Sequence, residues 1–182
     1  MVWRPSRAGV AGIDDYVAAE RFAAYHEAGH AVIGYRLGRH LEAITIEKGD
    51  GTLGQCHFER EPEWFPDPGY TLRNRELAER EVMIAYAGQV AADKWGGVTP
   101  KKSADAASDD RDRAAAMAAH CVAAGPDRDA LLAVLRDRVT GLVHEPINWT
   151  SIARLAAELA FWRTRTGDQV RQIIAPASMP GE

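Results

Sequence analysis

Apolar residues in this chain recur mainly at helical spacing, with one short stretch of strand-like alternation. Asp14 and Asp15 open a helical pattern from Tyr16 to about Leu37, and Gly38 stands where a helix-ending glycine belongs. Glu42–Glu47 then alternates. A second short run, Thr52–Phe58, follows the turn signal Gly49-Asp50-Gly51, so the two read as a hairpin. Residues 59–70 carry Pro62, Pro66 and Pro68 and predict an irregular loop, with Trp64, Phe65 and Tyr70 on an apolar side. Leu72–Lys94 predicts a second long helix. Its run Val82–Gly88 is apolar nearly all round and belongs at the centre of the fold. After a loop over 96–107, Ser108 caps a predicted helix over Asp109–Ala123, which Gly125-Pro126 stops. A helix over Asp127–Leu142 follows. Pro146 breaks the chain, and Asn148 caps a helix over Trp149–Arg165 with an apolar stripe of Trp149, Leu155, Leu159 and Trp162. Gly167 and Asp168 lead into a last helical turn through Ile174. The expectation is an α+β, mainly α-helical domain of five to six helices with a small β-sheet beside the first helix. It divides into a lead (1–13), the domain (14–174) and a flexible tail (175–182).

Size and composition narrow the classes. The chain has 182 residues, 46% hydrophobic and 26% charged. A chain of this length buries roughly 70% of the surface it exposes when unfolded, so one core suffices. The longest run without Asp, Glu, Lys or Arg is Ala114–Pro126, 13 residues. That is short of the ~20 apolar residues of a membrane-spanning helix. The N-terminus lacks the apolar core of a signal peptide. The net charge is −4, without the basic excess of a nucleic-acid binder. Cys56 and Cys121 form no C-x-x-C pair and read as thiols in a reducing, cytoplasmic setting.

The candidate chemistry lies in His26-Glu27-Ala28-Gly29-His30, an H-E-x-x-H within the first predicted helix. Residues four apart share a helix face about 6 Å apart along the axis, so both imidazoles can converge on one metal ion. Zn²⁺, at ~2.0–2.1 Å from each nitrogen, fits that spacing. Glu27 flanks the metal without binding it and is placed to act as general base on the attacking water, then to protonate the leaving amine. In a chain with six His, chance alone produces this pattern roughly once in 70 sequences, so its context matters. Here the motif lies inside a long helix among the small residues Ala24, Ala28, Gly29 and Ala31. A catalytic zinc site needs a third protein ligand. Asp93, Asp109, Asp110, His57, His120 and His144 are all candidates on these grounds.

Ala24–Val32 resembles, almost residue for residue, the metal-binding helix of the FtsH family of membrane-anchored, ATP-dependent zinc proteases. Ile44-Thr45-Ile46 and Gly54 resemble that family's following strands, where an edge strand lies beside the cleft. Ala85–Asp93 resembles its central helix, Ala107–Asp110 its Gly-Ala-Ser-Asn-Asp segment, and Gly167–Val170 its Gly-Glu-Glu-Val. The resemblance runs from about Tyr16 to Ile174. It implies a zincin-like metallopeptidase domain with His26, His30 and Asp110 as zinc ligands and Glu27 as the catalytic base. Asp93 matches an acidic family position near the site, which makes it the rival ligand or a residue that orients a ligating histidine.

The chain also departs from the family. Gln89 stands in place of the usual Arg and Ala106 in place of a Gly. There is no transmembrane segment and no G-x-x-x-x-G-K-[ST] of an ATPase module. The expectation is a zinc endopeptidase that acts without ATP on unfolded proteins or peptides, with Thr52–Phe58 offering a strand edge to the substrate. The alternatives are a zinc-stabilised binding module and a peptidase subunit fed by a separate ATPase. Neither a nucleic-acid partner nor a membrane span is expected, and the oligomeric state is open.

Overall fold

The computed structural model describes residues 7–47, 54–60, 72–96 and 103–175. In chain order they form helix α1 (Arg7–Arg36), strands β1 (Leu41–Thr45) and β2 (Gln55–Phe58), and helices α2 (Leu72–Trp95), α3 (Ser103–Ala118), α4 (Pro126–His144) and α5 (Pro146–Trp162). Strand β3 (Thr164–Thr166) and helix α6 (Gly167–Ile174) complete them. The described chain is thus mainly helical, with one small antiparallel sheet in the order β2-β1-β3.

The second half of α1 is the axis of the core. Ala24, Ala28, Ala31, Val32 and Ile33 are buried, and the helix packs against α2 and α5. Small residues on this face let the helices approach closely. Val82, Ala85, Ala87 and Ala91 come from α2, while Ile152, Leu155, Ala156 and Leu159 come from α5. Burying a side chain such as Ile33, Leu155 or Leu159 contributes about 1.5–3 kcal/mol. The apolar run of α2 is central, as its lack of a polar face requires. Helix α4 adds Leu135, Val139 and Val143 to the same core.

A Schellman turn ends α1. Gly38 adopts φ 82°. Its N–H donates to the Tyr35 carbonyl at 3.1 Å, and the Arg39 N–H donates to the Gly34 carbonyl at 2.8 Å. The chain then enters β1, the central strand, whose Ile44 is fully buried. β1 pairs on one side with β2, setting Ile44 opposite Cys56. On its other side it pairs with β3, setting Ile44 opposite Arg165.

Several boundaries differ from those read in the sequence. α1 begins at Arg7, not at Asp14–Asp15. The segment after Pro5 contains nothing that stops a helix, since Gly9 and Gly12 each cost only about 1 kcal/mol. α3 begins at Ser103, so Ser108 is not its cap and Asp110 lies about two turns inside the helix. Pro146 starts α5 instead of breaking the chain, because a proline's fixed φ suits the first helical position. Asn148 is consequently a buried residue within α5, not its cap.

Arg163 at φ 64° ends α5, and the next three residues form β3, so Thr164 and Arg165 leave the helix expected over Trp149–Arg165. A strand of Thr-Arg-Thr is too short and too polar to show alternation; its pairing with β1 makes it a strand. Thr166 then caps α6 in a reciprocal box with Gln169. In the α5 stripe Leu155 and Leu159 are buried, but Trp162 is 58% exposed. The turn at 49–51, the side chains of Trp64, Phe65 and Tyr70, and the tail beyond 175 lie outside the described residues.

Candidate metal centre

Helix periodicity brings His26 and His30 to one face of α1, and the packing of α2 and α3 completes the site. His26 and His30 are buried, as is Glu27 between them in sequence. The His30 Nδ1 lies 2.7 Å from the Ile84 carbonyl on α2. A carbonyl only accepts, so Nδ1 carries the hydrogen and the neutral ring turns the lone pair of Nε2 into the site. Gly88, one turn beyond Ile84, makes room for that ring: a Cβ there would stand 2.3 Å from His30 Nε2.

Three ligand atoms meet at this point. His26 Nε2 and His30 Nε2 are 3.1 Å apart. Asp110 Oδ2, from α3, lies 2.9 Å from the first and 3.2 Å from the second. The rings meet edge to face at 82°, and Phe22, one turn before His26, stacks on its ring. Beyond the imidazoles, the described residues offer Asp110 Oδ2 no hydrogen-bond donor; His26 Nδ1 is buried without a partner among them. A tetrahedral zinc ion with bonds of ~2.0–2.1 Å sets its ligands roughly 3.4 Å apart. The observed triangle is within a few tenths of an ångström of that. Two imidazoles and a carboxylate are also a donor set that suits this ion. The residues present therefore fit a metal.

The electrostatics agree with a site built around positive charge. Burial works against the imidazolium of His30, but hydrogen bonding to Asp110 and the charges of Asp110 and Glu27 outweigh it, so the ring is pushed up to about 9. Burial also opposes ionisation of Asp110, yet hydrogen bonds to both imidazoles hold its carboxyl well below the usual carboxylate range. Without a metal, a proton takes the central place. Glu27 differs: burial pushes its carboxyl up, and the neighbouring histidines only partly offset this.

Strand β2 passes beside Glu27. A Cβ at Gly54 would stand 2.7 Å from the Glu27 Cγ and 2.8 Å from its Oε1, so only glycine allows this approach. The Cys56 thiol is pushed well up by burial and by the charge of Glu27, and it also feels Arg113 and Asp110. It is half-buried and free, while Cys121 is buried and free.

Of the candidate third ligands, only Asp110 joins the histidines among the described residues. Asp93 is exposed near the end of α2 and accepts a hydrogen bond from Gln89 Nε2 at 2.5 Å. That is the bond of a solvated acid to its own helix. Asp109 points to solvent on α3. His57 is exposed on β2, near enough for its charge to reach Glu27. His120 follows α3 in a turn. His144 ends α4, with Nδ1 2.8 Å from the Thr140 carbonyl.

The sequence reading missed the Ile84 carbonyl, the role of Gly88 and the arginine cluster on Glu81 described below. Backbone acceptors and steric gaps leave no residue signature, but the Glu81 cluster had one in its unusual core position on α2. No protein-family model matches the chain, and a search of curated proteins returns no match.

Proposed function

We propose that this chain is a zinc-dependent endopeptidase with a zincin-like fold, similar in its site to the FtsH peptidase domain, acting on unfolded proteins or peptides. The observation that carries the reading is the convergence of His26 Nε2, His30 Nε2 and Asp110 Oδ2 beside a buried, unligated Glu27. Bound by those three atoms, zinc would supply Lewis acidity, polarising the scissile carbonyl and acidifying a water. The chain's own residues do the rest. The Ile84 carbonyl holds the hydrogen of His30 on Nδ1, so Nε2 is the nitrogen turned to the metal position. Glu27 takes a proton from the attacking water and delivers it to the departing amine. Burial raises its carboxyl above the ordinary value, which makes it a better proton acceptor than a solvated glutamate. Two histidines and a carboxylate also suit Fe(II) oxygen chemistry, but that chemistry has no use for a buried carboxylate beside the triad. β2 has one edge unpaired among the described residues, and it supplies backbone groups on which an extended substrate can align.

Among the described residues no helix is long and apolar enough to cross a membrane. A cytoplasmic location, independence from ATP and a peptide partner are part of the proposal. The test is cleavage of an unfolded protein by the zinc-loaded chain, without ATP, beside Glu27→Gln. The variant should bind zinc stoichiometrically and cleave about 100- to 10,000-fold more slowly. Equal cleavage by both chains would remove Glu27 from the mechanism. Zinc binding with no cleavage by the natural chain would favour a binding module or a subunit that needs a separate ATPase.

A further inference from the structure

One helical turn along α2 from the carbonyl that holds His30, a second charged group is built. Glu81 of α2 is buried, three residues before Ile84, whose carbonyl holds His30. Its carboxylate is shared by three guanidiniums: Arg39 Nε at 3.0 Å, Arg80 Nε at 3.8 Å and Arg113 Nη2 at 3.0 Å. Arg39 and Arg80 are largely enclosed, with side chains 10% and 17% exposed. Arg113 differs, keeping 45% of its side chain exposed while paired. It lies three residues after Asp110 on α3, so the two share a helix face about 4.5 Å apart along the axis.

The cluster also borders β2. Arg39 Cζ lies 5.3 Å from the Phe58 ring centroid, and Arg113 is near enough to Cys56 to bias its ionisation. The chain therefore passes Glu27 at Gly54, just before β2, and reaches Arg39 at Phe58, the end of β2. A guanidinium presents five donors in a planar fork, and the single contact of Arg113 Nη2 with Glu81 engages only part of that fork.

We propose that Arg113 is a specificity-determining residue beside the metal centre, receiving a carboxylate of the bound peptide close to the scissile bond. The inference rests on the peptidase reading above. An extended peptide advances 3.2–3.4 Å per residue, so an acidic side chain one or two residues from the cleaved bond comes within reach of the guanidinium. A free C-terminal carboxylate at the same distance offers identical chemistry. The pairing with Glu81 fixes the fork's orientation before substrate arrives.

The test compares matched peptides that differ only by Glu or Gln at successive positions on either side of one cleavable bond, each with a free or amidated C-terminus. Two readouts are used: kcat/KM with the zinc-loaded chain, and the affinity of fluorescent peptides for Glu27→Gln, which binds without cutting. The proposal expects one position at which Glu is preferred over Gln about tenfold, mainly through KM and affinity. Arg113→Gln should abolish that preference and Arg113→Lys should restore part of it. If a preference for the free C-terminus disappears in Arg113→Gln instead, the carboxylate received is the terminal one. Cleavage with no carboxylate preference, or a preference that survives Arg113→Gln, overturns the subsite and leaves the peptidase reading standing. Carboxylate-selective binding without any cleavage does the reverse. Absence of both cleavage and peptide binding overturns both.

Discussion

Helix α1 carries a part-buried polar cluster at Arg36 and a buried one at His26 and His30, which ends six residues earlier, and they obey opposite rules. At Arg36 donors meet acceptors. Arg36 Nε donates to Asn148 Oδ1 at 2.9 Å, and Asn148 Nδ2 donates to the Leu142 carbonyl at 2.9 Å and to Glu145 Oε2 at 3.0 Å. Those bonds tie α1 to the α4–α5 junction without any added ion, and of these groups Arg36 Nη2 alone has no partner among the described residues. At His26 and His30 two ring nitrogens and a carboxylate oxygen converge within 3.2 Å of one another, more acceptors than there are hydrogens to share. Such a group is held together by what sits between its atoms, either a ring proton or a metal. A buried polar cluster that satisfies itself is architecture, whereas one that lacks its own central charge is a binding site.

The largest expected effect breaks the second cluster. Zinc at a thousandfold excess over its dissociation constant should stabilise the natural chain by about 4 kcal/mol. For a chain of this length that is a rise in Tm of roughly 8–16 °C. His30→Ala removes one of the three ligands and the ring held by Ile84. It should lose nearly all of that rise, as followed by thermal unfolding with and without chelator. An undiminished rise in the variant would place the metal elsewhere.

The first cluster should answer in the other currency, stability without metal. Asn148→Ala leaves Arg36 Nε without its partner in a part-buried setting and leaves the Leu142 carbonyl only the Glu145 N–H at 3.3 Å. It should cost about 2–3 kcal/mol in denaturant unfolding and leave the zinc affinity unchanged. A loss of zinc affinity of tenfold or more would show that the two clusters are coupled through α1, and the distinction between them would fail.

The sequence made one cluster legible and hid the other. His26, Glu27 and His30 could be read because all three lie within five residues of one helix, where geometry follows from spacing alone. Asp110 is 80 residues beyond His30, so spacing could only offer it among several acids; the resemblance selected it, and the packing of α3 on α2 brings it to the histidines. Asn148 was read as a cap because Asn is a common cap, but Pro146 competes for the helix start and prevails, which carries Asn148 inside. β3 was hidden for a related reason: three polar residues become a strand only because β1 presents an unpaired edge to them. Local propensity thus placed the long helices, while tertiary contacts decided short elements and distant ligands.

The smallest expected effect, on pH dependence, sharpens the comparison without any mutation. In the metal-free chain His30 is raised from its ordinary 6.5 to about 9. Below 6.5 the imidazole is protonated in both folded and unfolded chains, so the stabilisation is fully present. As pH rises towards 9 the unfolded chain has lost its proton and the folded one is losing it, so the stabilisation disappears. Asp110, held low, contributes stability above its ordinary 3.8 that is lost as pH falls further. The metal-free chain should therefore become less stable from pH 6.5 to 9. Zinc competes for the same central place as the proton, so its affinity should rise across that window while the metal-free stability falls. Asn148 does not titrate, and the cost of replacing it should stay flat. Denaturant unfolding of the chelator-treated chain, paired with zinc titrations at each pH, measures both slopes. If the metal-free stability is flat from pH 6.5 to 9, no proton is held between the histidines and Asp110, and the two clusters of α1 are more alike than their geometry implies.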